Sequence, residues 1–454
     1  MALSNLLAEF VVGYTRDKLK TQVIDRAKIL VLDQLGCALI GSTLKWNQAA
    51  YHFVRDFESK PESTILNHGT KALAHDAAFV NGTFGQGAEL DDYQWARGRA
   101  GAHAGAICVP TALALGEKAR LGGADFLTAV AVGYDVAWSL GRDMHFGVHA
   151  RGFHPHSVIG VFAATAVAGK ILGLTSKELT NAFGIAGSHA SGTMEYDQSG
   201  GEVKRVHNGI AVRSGIQSAM LSSYGLTGPA TIFEGKRGIF RLFAGVEKPE
   251  ALALDLTIGS GVINNGIKQY PANASQQSSI DVLADLMKKN GLKAADVERI
   301  DVDLNEDKIM HCGSIYEPQE AIQAQFSLPF SLAIRLLKGS NDLGLYMDRE
   351  LWHERTVLDL AHRIHLHPNP EAKGDLTYLS RMRVSLRDGH TLEARSDYPK
   401  GSSENPLTKE EVCHKFRKLA SAVLPDERVE EVIRSVDNIE QMADVSQLAR
   451  LLVK

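Results

Sequence analysis

Cysteine is scarce and dispersed in this chain. The four residues, Cys37, Cys108, Cys312 and Cys413, form no CxxC pair and no regular spacing. That pattern argues against disulfide staples and a zinc ribbon and points to a reducing compartment. A cationic surplus is lacking as well: 49 Lys and Arg face 53 Asp and Glu, for a formal net charge of -4. Nucleic acid is therefore not the expected partner, because phosphate binding needs positive excess. A locally cationic pocket for a small anion remains compatible with that balance. Long apolar runs are missing too. The stretch from Val158 to Leu172 is broken by Gly160, Gly169 and Lys170, so no membrane span is expected. The opening Met1-Ala2-Leu3-Ser4 shows no basic stretch followed by an apolar run. No secretory signal is read there, the expected location is cytoplasmic, and the sequons at Asn81 and Asn273 are taken as accidental. There is no internal repeat, no GxxxxGK[ST], no HExxH, no GxSxG and no GxGxxG after a strand. Nucleotide-dependent and zincin chemistry lose their support accordingly.

What is present is ordinary globular material: 454 residues, 44% hydrophobic and 22% charged, enough for two or three domains with their own cores. Up to about residue 264 the chain reads as helices, several of them apolar on most faces, such as Val23 to Ile40, Phe126 to Leu140 and Val158 to Leu172. Helices of that kind are buried against other helices. Thr175 with Glu178 and Thr408 with Glu411 mark helix starts, and Pro425-Asp426 opens another. Between 265 and 396 the period changes to two, at Ile300, Val302 and Leu304, and at Met382, Val384 and Leu386. Asp388-Gly389 between alternating runs signals a hairpin. The expected architecture is mainly α: a helical domain built from residues 1–264 and 397–454, with a smaller α+β lid domain, 265–396, inserted between them. A cleft between such units is a common place for a small-molecule site.

Four polar clusters carry the chemical options. The first is Glu89-Leu90-Asp91-Asp92-Tyr93, followed by His103 and preceded by the glycine-rich Gly82-Thr83-Phe84-Gly85-Gln86-Gly87. Acidic pairs serve as solvated helix caps, as metal ligands or as general bases. The second is His149-Ala150-Arg151-Gly152-Phe153-His154-Pro155-His156. Three histidines within eight residues suggest metal, but the i, i+4 spacing that puts two imidazoles on one ion is missing; a structural histidine and an acid–base histidine are the stronger readings. The third, Gly200-Gly201-Glu202-Val203-Lys204-Arg205-Val206-His207, is either a solvated loop or a place where Lys204 and His207 meet an anion. The fourth, Lys268-Gln269-Tyr270-Pro271, lies where the composition changes, and its lysine is either surface decoration or a substrate contact.

Taken in order, these strings resemble the MmgE/PrpD family over nearly the whole chain. The resemblance lies in Ala77-Ala78-Phe79-Val80-Asn81-Gly82 leading to Asp91-Asp92, in Gly152-Phe153-His154-Pro155, in Gly192-Thr193-Met194 and in Lys204-Arg205-Val206-His207-Asn208-Gly209. It continues in Lys268-Gln269-Tyr270-Pro271 and Ala324-Gln325-Phe326-Ser327-Leu328-Pro329. Members of that family dehydrate 2-methylcitrate, decarboxylate cis-aconitate or epimerise iminodisuccinate. The resemblance implies a helical domain with an α+β lid, usually as a homodimer, and catalytic roles for Asp92, His103, His154, Lys204 and Lys268, with His207 close by. This chain departs from the family pattern at Tyr93, at Ala104-Gly105 after His103, and at Ala272 and Asn273 after the Lys-x-Tyr-Pro string. Arg97 and Arg99 add two cations that either grip extra carboxylates or face water. Tyr93, Arg97, Arg99 and His207 are the expected substrate-binding residues.

The chemistry so implied is proton or carboxylate loss beside a carboxylate, where the carbanion sets two negative charges next to each other. Such a site needs cations and donors in place beforehand. The leading expectation is a metal-independent, cofactor-free lyase for a small polycarboxylate, either a dehydratase or a decarboxylase. The alternatives are an epimerase of an amino or imino dicarboxylate and a catalytically silent carboxylate-binding protein.

Overall fold

A computed structural model describes residues 2–454. The protein is mainly helical, with small sheets, and divides into two compact units. One comprises Met1–Gln94, Arg99–Asn265 and Thr408–Lys454; the other comprises Trp95–Gly98 and Gly266–Leu407.

The first unit draws on both ends of the chain. The apolar stretches read from the sequence lie in helices Thr21–Gly41, Gly123–Ala150 and Pro155–Ile171. Thr175 and Thr408 each form a capping box with the glutamate three residues on, opening helices Ser176–Ala186 and Lys409–Ala420. Helix His207–Ser223 packs on Pro155–Ile171 and on helix Ala74–Gln86, and glycines permit the approach. A Cβ on Gly215 would stand 2.8 Å from the Val161 carbonyl oxygen. One on Gly209 would stand 2.5 Å from that of Phe79, so neither position accepts a side chain without moving backbone. This half also holds a small antiparallel pair, Ser63–Thr64 with Lys71–Ala72. Strand pairing was not expected there, and two residues are too few to show a period of two. No helix among the described residues is long and apolar enough to cross a membrane.

The second unit holds a four-stranded sheet. Strand Val297–Leu304 is flanked by a parallel partner, Ile364–Pro368, and an antiparallel one, Ser380–Leu386, which pairs in turn with Thr391–Ser396. The hairpin turns at Asp388-Gly389, where Gly389 has φ +88. Strand Ile364–Pro368 carries no signal that the sequence reading used. Helix Gln277–Asn290 packs on Ser380–Leu386 and Thr391–Ser396 and on helix Leu328–Lys338.

The unit runs to Leu407, beyond the expected boundary at 396. The loop that follows the last strand is tied to it: Gly401 O accepts from Ile267 N at 2.8 Å, and Asp281 Oδ2 accepts from Lys400 N at 2.8 Å. Trp95 also belongs here, edge-on to Tyr378 at 5.0 Å and accepting at its carbonyl from Ser403 Oγ at 2.9 Å.

Candidate active site

The site grows from the double aspartate, whose two members do different work. Asp92 is buried and saturated with donors. Its Oδ1 accepts from Gly105 N at 2.9 Å, at the start of helix Gly105–Ala119. Its Oδ2 accepts from Tyr134 Oη at 2.7 Å and from Asn265 Nδ2 at 2.8 Å. Burial pushes its pKa up to about 6 even though the Tyr134 and Gly105 hydrogen bonds pull the other way. Asp92 is thus an anchor that ties three chain segments together.

Asp91 points elsewhere. Its Oδ2 lies 3.1 Å from His103 Nδ1, and both side chains are buried. The same Nδ1 also meets the main-chain carbonyl of Asp92. A carbonyl oxygen can only accept, so His103 Nδ1 carries a proton and its Nε2 is the atom left for chemistry. The carbonyl sets the tautomer, and the Asp91 charge stands ready to balance a second proton on the ring.

Around His103 stand four more imidazoles. His154 is the residue before helix Pro155–Ile171. It is placed by a two-strand contact in which His154 N donates to Gly192 O at 2.8 Å and Met194 N donates to Gly152 O at 2.9 Å. Gly192 has φ +104, and a Cβ there would press on Ser157 Oγ at 2.9 Å and His207 Cε1 at 3.4 Å. Two of the family-like strings are therefore neighbours, and the glycine is what lets His207 in. His154 Nδ1 and His207 Nδ1 are 3.0 Å apart, so one donates and the other accepts a single shared proton. Burial, then mutual repulsion and Lys204, hold His154 well below the usual imidazole range; burial followed by Lys204 brings His207 to about 4. His156 stands 4.0 Å from His103 and 4.8 Å from His154, ring centre to ring centre. His145 lies 5.4 Å from His156 and donates through Nδ1 to Gly101 O at 2.8 Å. Burial keeps His156 well below its ordinary value and lowers His145 to about 4.

Lys204 is buried in the short helical turn Val203–Val206 and pairs with the buried Glu89. Glu89 reaches it from a left-handed backbone, φ +57. The neighbouring Arg205 lies over the Trp46 ring at 4.1 Å and donates to Gly87 O at 2.6 Å, which pins the same loop. From the C-terminal part of the chain, Lys415 donates to Leu90 O at 2.8 Å and pairs with Asp33 at 2.7 Å. The loop carrying Glu89, Asp91 and Asp92 is thereby held by both ends of the sequence.

Of the residues expected from sequence, His103, His154, His207 and Lys204 are gathered in this unit, and Asp92 touches His103 through its main chain. Tyr93 is buried beside Asp92. Arg97 and Arg99 are exposed, Arg97 at φ +50 and Arg99 3.5 Å from Asp143. Lys268 is buried in the second unit. Its string is clamped by Gln277, whose Oε1 accepts from Gln269 N and Tyr270 N at 3.1 Å each, and by Gln325, whose Nε2 donates to Pro271 O at 2.9 Å. The sequence reading did not single out Asp91, Glu89, His145 or His156 for roles of their own. Asp91, Glu89 and His156 lay inside quoted clusters, while His145 stands in a helix of ordinary pattern and gives no signal. Among the described residues, no three His, Cys, Asp or Glu side chains are grouped so as to hold a metal ion.

A mainly helical unit with carboxylate-backed imidazoles and a buried lysine, joined in one chain to a smaller α+β unit, has the make-up of an acid–base enzyme. The chain belongs to the MmgE/PrpD family: residues 5–252 match the MmgE/PrpD N-terminal domain and residues 270–441 the MmgE/PrpD C-terminal domain. It is 30% identical to the cis-aconitate decarboxylase-like protein oryM of Aspergillus oryzae, across 98% of this chain and 96% of that one. It is 29% identical to the cis-aconitate decarboxylase of Aspergillus terreus, across 96% and 93%. To the human cis-aconitate decarboxylase it is 28% identical, across 99% and 94%.

Proposed function

We propose that this chain is a lyase for a small polycarboxylic acid, and that it removes one carboxylate as carbon dioxide from an unsaturated tricarboxylate of the cis-aconitate kind. The observation that carries the reading is His103, with its Nδ1 proton held at the Asp92 carbonyl and the Asp91 carboxylate 3.1 Å away. The names of the relatives, similar over their full length, favour decarboxylation over dehydration.

In this reading the bond to the departing carboxylate breaks and its electron pair becomes a new carbon–carbon double bond. The displaced alkene pair takes one proton from His103 Nε2, and water returns that proton to the ring. Asp91 stands ready to balance the imidazolium that forms when substrate is bound, so the proton donor is charged without being an isolated buried cation. Lys204 offers its ammonium donors to a remaining carboxylate while Glu89 keeps it neutralised between turnovers. His154 and His207, holding one proton between their Nδ1 atoms, leave one Nε2–H as a further neutral donor. Lys268 is given no step.

The test is a panel of di- and tricarboxylates followed by NMR in deuterated water. The expected result is carbon dioxide release with one deuterium at the carbon that gains the proton. An alkene without carbon dioxide would instead mark a dehydratase, exchange without net reaction an epimerase, and an unreactive panel would remove the enzymatic reading.

A further inference from the structure

We infer that His156 contacts substrate in this site, as a neutral imidazole locked with its proton on Nε2 that donates a hydrogen bond to a carboxylate of the bound acid. The inference rests on the reading of the site as a polycarboxylate site.

The lock follows from one hydrogen bond. The main-chain N–H of His103 donates to His156 Nδ1 at 3.1 Å. A main-chain amide has only a proton to give, so Nδ1 presents its lone pair and the neutral ring carries its proton on Nε2. Among the described residues Nε2 has no hydrogen-bond partner. The ring is half-buried, as is that of His145, whereas His103, His154 and His207 are buried, so it is open to an arriving molecule.

Its surroundings select what that molecule brings. The groups facing it are the imidazoles of His103, His145 and His154, with the Lys204 ammonium beyond. All are neutral or positive, so a second proton on His156 is disfavoured and an incoming oxygen anion is favoured. Pro155 at the first position of helix Pro155–Ile171 fixes the backbone just before His156, so the ring direction is set by the start of the helix. The donor is held in place before any ligand arrives, the condition under which a hydrogen bond contributes most to binding.

Two amide substitutions separate the two ring nitrogens. In H156N the side-chain oxygen replaces Nδ1 and keeps the His103 N–H satisfied, but nothing replaces Nε2. In H156Q the amide nitrogen reaches the place of Nε2. The probe is tricarballylate, a saturated tricarboxylate with no alkene to take up the electrons, bound at equilibrium in a calorimeter to the full chain. H156N should weaken binding about tenfold, equivalent to about 1.4 kcal/mol, and H156Q should stay within about threefold of the parent. Turnover should follow the same order in KM while kcat moves little. Unchanged affinity in H156N, or equal loss in both variants, overturns the inference, as does a loss confined to kcat, which would make His156 a positioning residue for His103. If the parent protein binds no carboxylate at all, the polycarboxylate reading falls with it. A measurement on the unsubstituted protein covers the case of misfolding: nitrogen NMR should show His156 as the Nε2–H tautomer, shifted by tricarballylate. An Nδ1–H tautomer overturns the inference as well.

Discussion

Replacing Asp91 by asparagine removes a charge from His103 and leaves the rest of the ring's environment in place. The Oδ2–Nδ1 separation is 3.1 Å, so at an effective dielectric constant near 20 the attraction between Asp91 and a protonated His103 is about 5 kcal/mol. Part of this is offset by the cost of holding the carboxylate buried, and a net loss of about 3 kcal/mol from the protonated state is a fair working figure. That corresponds to roughly a hundredfold in rate for a step that needs the imidazolium. The tautomer is still set by the Asp92 carbonyl, so the ring stays where it is and KM should change little. Asp92→Asn is the internal control. It puts an amide NH₂ among three donors, Gly105 N, Tyr134 Oη and Asn265 Nδ2, weakening charge-assisted hydrogen bonds worth about 1.5–3 kcal/mol each. The raised pKa, from 3.8 to about 6, is the net of burial against the Tyr134 and Gly105 hydrogen bonds, and the cost of ionisation it represents, about 3 kcal/mol, is relieved at the same time. The expected balance is a stability loss of about 2 kcal/mol at neutral pH. Steady-state kinetics on the tricarboxylate and urea unfolding of both variants make the comparison. If Asp91→Asn retains parental kcat, or if it is the unstable member while Asp92→Asn unfolds like the parent, the division of labour between the two aspartates is wrong.

Three further expectations come from buried charge. Lys204→Met and Glu89→Gln each break an ion pair whose two partners are buried and should cost about 3–5 kcal/mol, whereas the double variant should regain most of the stability but none of the activity; equal unfolding midpoints for all three would refute this. Asp135, which accepts from Tyr14 Oη, Gly259 N and Gly261 N, is raised from 3.8 to about 7 by burial. Its contribution is full below the unfolded value and is lost as pH rises through 7, about 4 kcal/mol in all; His207, lowered from 6.5 to about 4, contributes above 6.5 and loses it as pH falls. The two slopes oppose each other between about pH 4 and 6.5, so the stability of Asp135→Asn relative to the parent should rise by about 4 kcal/mol between pH 4 and 7 and stay level above 7; a difference that does not change across that window contradicts the assignment. Finally, binding of tricarballylate near pH 6 should take up protons, because the acid supplies the negative charge that the imidazoles lack in its absence; identical heats in buffers of different ionisation enthalpy would count against it.

Much of the architecture was legible because it rests on local rules. Alanine- and valine-rich helices, threonine–glutamate capping boxes and an Asp-Gly turn each declare themselves within a few residues. The two-residue pair at Ser63 and the parallel strand Ile364–Pro368 do not, since their partners lie elsewhere in the chain and their own pattern is short. The family-like strings were read mainly as chemistry, yet much of their content is mutual fit. Gly209 of one string admits Phe79 of another, Met194 N donates to Gly152 O, and Gln325 holds Pro271. Three pairs of distant strings thus specify one another. Direction was illegible for the same reason. Nothing in Asp91-Asp92 says that the first carboxylate faces an imidazole and the second a tyrosine and an asparagine, because that is decided by Tyr134 and Asn265. The pairing of Lys204 with Glu89 across 115 residues is equally invisible from either cluster alone.

That pairing changes how the site handles a polyanion. A bare buried lysine would attract carboxylates most strongly, but without ligand it would have to surrender its proton or find a counter-ion. Glu89 is that counter-ion, so Lys204 can stay protonated while the site is empty. The imidazoles solve the same difficulty in the opposite way. Crowded together near Lys204, they stay neutral, and His156 and one ring of the His154–His207 pair still carry an Nε2–H to direct at an oxygen. The resting site therefore holds its donors without holding a net positive charge. Attraction for the proposed acid then comes from oriented hydrogen bonds, together with protons that become favourable only once carboxylates are present. Charge appears in the site when the substrate brings it, and a proton is most readily delivered by the one imidazole that already has a carboxylate behind it, His103.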